Sequence, residues 1–127
     1  MKLIVLIVIA AIAGLLLLRP VKAQTSQDSL VIAQLKKAGS NLSKPHEIEF
    51  FFYFHTKEAA EHVSEKLNAL GFSAKAEPAA KGSDWLVLAK KSLVPTESAL
   101  VELRSKFDAI AAEDNGVYDG WGTPVVK

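Results

Sequence analysis

Three histidines, His46, His55 and His62, are the side chains of this 127-residue chain best suited to acid–base or metal chemistry. Their spacing supports neither. No pair lies four apart on one helix and no HExxH pattern occurs, so each reads as a structural or surface group. Glu58, Glu61 and Glu65 recur on one solvated face of a helix. Gly116, Gly120 and Gly122 lack the strand, glycine-rich turn and helix of a phosphate loop, and no Lys-Ser or Lys-Thr follows them. Cysteine is absent, which excludes disulfides, thiol nucleophiles and cysteine-ligated metals. The chain reads as non-catalytic, with no cofactor and no metal centre.

Binding chemistry is better represented, in the stretch HEIEFFFYFH from His46 to His55. As a strand it places Ile48, Phe50, Phe52 and Phe54 on one face, and Glu47, Glu49, Phe51, Tyr53 and His55 on the other. The first set forms a core face. The second sets two aromatics among acids, so it is covered by another element or serves as a docking surface.

The elements that position this strand follow from periodicity and caps. Ser26 or Asp28 starts a helix running to about Ala38, with Val31, Ile32, Leu35 and Ala38 as its apolar stripe and Gly39 as its stop. Thr56 caps a second helix, Lys57 to Leu70, with Ala60, Val63, Leu67 and Leu70 inward. Phe72 to Glu77 alternates as a short strand, and Trp85 to Lys91 forms a third. Pro95 and Thr96 open the last helix, with the stripe Leu100, Leu103, Phe107, Ile110 and Ala111. Val117 to Thr123 is the final strand, where Gly120 and Gly122 imply close backbone approach or a bulge.

After the first helix the order is β-α-β-β-α-β. This predicts an α+β, ferredoxin-like, four-stranded antiparallel sheet with both later helices on one face and an extra N-terminal helix. The aromatic strand is central in that topology. RNA-recognition domains use the same order and stack bases on central aromatics, so Phe51 and Tyr53, with Trp85 or Leu86 beside them, suggest a single-stranded RNA platform. The third strand, WLVLAKK, lacks the glycine–aromatic pattern of such domains. The competing expectation is that the helix from Asp28 to Ala38 folds across Phe51 and Tyr53.

Residues 1–23 stand apart from residues 24–127, which make up the domain. Leu3 to Leu18 is sixteen apolar residues between Lys2 and Arg19. As a helix it would span about 24 Å, a little short of a bilayer's hydrocarbon core. Two readings stay open: a single-pass inner-membrane anchor with the domain in the cytoplasm, or a signal peptide cleaved after Ala23, with export to the periplasm. Removing Lys2, Arg19 and Lys22 from the 15 basic residues leaves 12 against 14 acidic, a formal charge of −2. A domain with that balance has no general attraction for nucleic acid.

The ending Tyr118-Asp119-Gly120-Trp121-Gly122-Thr123, after a helix carrying Phe107-Asp108, resembles the C-terminal signature of the regulator of ribonuclease activity B family. The helix ending at Gly39, the strand opening His46-Glu47-Ile48-Glu49 and the helix end Leu70-Gly71-Phe72 are similar in spacing, so the resemblance covers roughly residues 27–124. It implies a non-catalytic protein that binds the endoribonuclease RNase E and modulates its activity, with Tyr118, Asp119, Gly120, Trp121 and Gly122 as motif residues. Packing is the competing role for Trp121, because large aromatics usually bury. Two features depart from the family's best-known type: the chain ends at Pro124-Val125-Val126-Lys127 without a long acidic tail, and it carries the apolar segment. An exported structural protein of the same fold is the remaining alternative.

Overall fold

A computed structural model of the chain describes Ile4–Leu6 and residues 26–127. Its elements are β1 (Ile4–Leu6), α1 (Gln27–Lys37), β2 (His46–Phe54), α2 (Lys57–Ala69), β3 (Ser73–Pro78), β4 (Trp85–Leu93), α3 (Glu97–Glu113) and β5 (Val117–Pro124). The anchor or signal expected for residues 1–23 lies outside the described residues except at Ile4–Leu6. Those three form a strand and not part of a helix. Among the described residues no helix is long and apolar enough to cross a membrane.

All strand pairings are antiparallel, and the sheet order is β1-β5-β2-β4-β3. Without β1, this is the expected four-stranded arrangement with β2 and β4 central. Local signals set the helix starts. Ser26, Thr56 and Thr96 each accept a hydrogen bond from the backbone N–H three residues on, satisfying a donor that the first turn leaves free.

The core lies between the sheet and the helices. Ile48, Phe50 and Phe52 are fully buried, and Phe54 nearly so, as the two-residue rhythm requires. Phe107 of α3 sits at its centre, with ring centroids 5.0 Å from Phe50, 5.1 Å from Phe52 and 5.4 Å from Phe72. These edge-on contacts pair each ring's positive rim with a neighbour's negative face. Ala60, Val63 and Leu67 of α2 complete the layer. Leu70, expected on the same stripe, is 48% exposed at the helix end, and Ser64 is buried in its place.

The position of α1 corrects an expectation. It does not cross Phe51 and Tyr53 but packs beside α3 on the side of the core, burying Val31 and Leu35. Asp28, on the same stripe one turn earlier, is fully buried with them. A buried carboxylate needs donors. Those available are on α3 and β5, and this holds α1 against them.

Candidate functional site

The final strand carries the motif, and a β-bulge organises it. Phe51 pairs with Gly120 and Phe52 with Tyr118, so Asp119 is an extra residue on β5. Gly120 adopts φ 115°, a conformation that side-chain-bearing residues rarely take. The bulge lets Tyr118 and Trp121, three residues apart, both face the core. Simple alternation would have put them on opposite sides. Tyr118 is 6% exposed and Trp121 1%.

Trp121 Nε1 donates to Asp28 Oδ1 at 3.0 Å. Arg104 of α3 donates from Nε to Oδ2 at 2.9 Å and from Nη2 to Oδ1 at 3.0 Å. Asp28 thus receives three donors in the first turn of α1, where the helix dipole also favours a negative charge. The Arg104 guanidinium lies 5.1 Å from the Tyr118 ring centroid. Burial acts to lower the basicity of Arg104, but its hydrogen bonds to Asp28 together with the charges of Asp28, Tyr118 and Asp108 more than offset this and hold it above its ordinary value. Burial pushes the Tyr118 phenol well up, with Arg104 opposing. Asp108 and Asp119 are also raised by burial, again against Arg104. The motif is therefore a clamp joining α1, α3 and β5. Tyr118 packs on Phe52 and Phe107 and Trp121 bonds to Asp28 of α1, so neither ring is presented at the surface. Gly120 and Gly122 are buried as well, while Asp119 is half-buried.

The face opposite the helices is different. Phe51 pairs with Leu88 and Tyr53 with Leu86 across β2 and β4, and all four are half-buried. Trp85 pairs with Phe54 and so belongs to the helix side, which removes it from the platform expected around Phe51 and Tyr53; Leu86 remains. Leu88 was missed because its face is set by register. The strip is bordered by paired charges: Lys90 Nζ is 3.6 Å from Glu49 and Lys75 Nζ 4.0 Å from Glu77. Tyr53 also lines a shallow recess of about 350 Å³ with Ala79, Ala80, Lys81 and Asp84. Burial, then the charge of Asp119, raises its phenol.

The histidines occupy three separate settings. His46 is fully buried, its Nδ1 2.8 Å from the Lys44 carbonyl and its Nε2 2.6 Å from Ser40 Oγ. A carbonyl only accepts, so Nδ1 carries the proton and Nε2 accepts from the Ser40 hydroxyl. That hydroxyl oxygen accepts in turn from the Val126 N–H at 3.0 Å, tying the chain's end to the loop before β2. His55 and His62 are exposed and pair through Nδ1 with Asp84 at 3.2 Å and Asp114 at 3.0 Å. Among the described residues no group of three histidines or carboxylates converges to hold a metal ion.

Comparison with known protein families gives a match. The family model for regulator of ribonuclease activity B (RraB) covers residues 25–123. No curated protein matches the chain significantly. The matched span runs from just before the cap of α1 to Thr123, so it takes in the clamp, the open strip and every core element. The chain belongs to the regulator of ribonuclease activity B family.

Proposed function

We propose that this chain regulates a ribonuclease by protein–protein contact, using the open face of its sheet, and that it performs no chemistry of its own. The observation that carries this reading is the apolar strip of Phe51, Tyr53, Leu86 and Leu88 with its borders of paired charge. A nucleic-acid groove needs unpaired Lys or Arg along the phosphate path. Here Lys75 and Lys90 each face a glutamate, the pattern of a protein interface with an apolar centre and polar rim. The family supports a ribonuclease as the target class, and RNase E or a related component is the specific partner proposed. The cytoplasm, beside RNA-processing machinery, is the compartment this reading proposes for the domain; a topology reporter fused after Lys127 tests that placement.

The test is cleavage of a fluorogenic RNA by RNase E with added wild-type chain and with the double variant Phe51→Ala/Tyr53→Ala. Altered cleavage with wild type, lost in a variant whose circular dichroism is unchanged, supports the proposal. Unchanged cleavage, with no ribonuclease recovered in pull-down, overturns it. The exposed aromatics favour one second reading, base stacking on single-stranded RNA. Titration with a labelled oligonucleotide separates the two, since micromolar RNA affinity lost in the double variant would favour stacking.

A further inference from the structure

We infer that the outer edge of β3, beside α2, is a docking site for an extended segment of a partner protein that places an arginine or lysine opposite Ala76. The inference goes beyond the open-face reading and does not rest on it. At Ala74 this edge already takes an external partner. The Asn68 side chain of α2 donates from Nδ2 to the Ala74 carbonyl at 2.9 Å, and its Oδ1 accepts from the Ala74 N–H at 2.9 Å. Those are the two bonds that a residue of a neighbouring antiparallel strand would exchange with Ala74. Asn68 stands in for one residue of a further strand.

The same orientation recurs along β3. It pairs with β4 without a register shift from Ser73 to Pro78, and backbone groups two residues apart turn to the same side of a strand. Ala76 therefore turns its N–H and C=O outward, as Ala74 does. Pro78, the next in this set, has no N–H to offer. Among the described residues no strand pairs with β3 on that side. The edge is closed at both ends and keeps one donor and one acceptor at its middle, which suits a short, specific pairing and not continued sheet growth.

The surroundings of Ala76 select the occupant. A recess of about 390 Å³ lies between this edge and α2, lined by Glu61, Ser64 and Glu65 with Ala74, Lys75 and Ala76. A strand residue opposite Ala76 points its side chain to the same face as Ala76, which is the helix side, because Ala76 packs against the core cluster. Its stem would lie over small side chains, and its tip would meet Glu61 and Glu65, exposed and one helical turn apart. Among the described residues neither glutamate has an ion-pair partner. Lys75 turns to the opposite face, where its Nζ is 4.0 Å from Glu77. A long cationic side chain with an apolar stem fits this recess, on a segment held by main-chain bonds to the edge.

The test titrates the isotope-labelled full-length chain with the capped peptide Thr-Val-Thr-Arg-Thr-Val-Thr, followed by amide resonances. Binding should shift the Ala76 amide and slow its hydrogen exchange. The same peptide with glutamate at its centre, and the arginine peptide N-methylated at its arginine, should each bind about tenfold more weakly. Glu61→Gln/Glu65→Gln should weaken the arginine peptide about tenfold and bring the arginine and glutamate peptides to similar affinity. Phe51→Ala/Tyr53→Ala should leave binding unchanged. An unmoved Ala76 amide at millimolar peptide, equal affinities of the arginine and glutamate peptides for wild type, no effect of N-methylation, or dependence on Phe51 and Tyr53 would each overturn the inference. No ribonuclease is present, so these outcomes are independent of whether ribonuclease regulation through the open face holds.

Discussion

Along β2, Phe50 and Phe52 keep no surface in water, while Phe51 and Tyr53, each one peptide bond away, remain half-buried. The same strand thus presents two aromatic faces with different roles. On the helix side, rings meet edge to face around Phe107, and the one buried carboxylate, Asp28, is met by three donors. On the open side, Phe51 and Tyr53 pair with Leu88 and Leu86 of the next strand, and charges pair at the border. Composition does not distinguish the faces. What separates them is whether a second layer of structure lies over the side chains, and that layer turns aromatic surface into stability on one side while leaving it accessible on the other.

The contrast can be broken most sharply by truncating one ring on each face. Phe52→Ala should lower unfolding stability by about 3–5 kcal/mol, through lost transfer energy and the cavity left behind. Phe51→Ala should cost about 1 kcal/mol or less, as for positions away from packed features. Urea unfolding measures both, and equal costs would mean that the open face is covered in solution.

Next in size is the clamp. Asp28→Ala leaves Arg104 without its carboxylate and should cost about 3 kcal/mol, because a partly buried charge then lacks compensation. Arg104 keeps 24% of its side chain exposed, which places the effect at the low end for such pairs. The double variant Asp28→Leu/Arg104→Met should recover most of the loss, and a double-mutant cycle by urea unfolding reads the coupling.

Gly116→Ala comes third. A Cβ there would meet the Phe54 ring and lie 2.7 Å from the Tyr53 carbonyl oxygen, so overpacking should cost about 1–3 kcal/mol in the same assay. The smallest effect sharpens the open side. Burial raises the Asp119 carboxyl above its usual 3.8, so the native state binds this proton more readily than the unfolded chain does. The stabilising contribution is complete below 3.8 and is lost as pH rises through the raised value. Asp119→Asn, which cannot ionise, should therefore raise the urea midpoint at pH 7, with the gain shrinking toward pH 3.8.

Much of this architecture was legible in the chain. Strand alternation sorted Phe50, Phe52 and Phe54 from Phe51 and Tyr53, and Thr56 and Thr96 marked helix starts because a cap is a contact within three residues. The site was legible only in part. Phe51 and Tyr53 were found, and of the alternatives Trp85 and Leu86 the register of β4 against β2 selects Leu86 and adds Leu88. Asp28 was read as an alternative cap, although it lies on the stripe of Val31 and Leu35, three and seven residues on. That spacing could have signalled burial. It could not have named Arg104 or Trp121, which lie 76 and 93 residues away.

By itself, the amino-acid sequence determined the order of elements, the two faces of β2 and the six-residue ending through which the chain resembles the family. These are local properties of backbone period, cap chemistry and residue order. Only the tertiary structure decided which face is covered, that α1 joins the core side, that a bulge at Asp119 turns both Tyr118 and Trp121 inward, and that Ile4–Leu6 lies on the β5 edge. Each of these depends on contacts between distant segments, whose free energy is settled when the layers pack together.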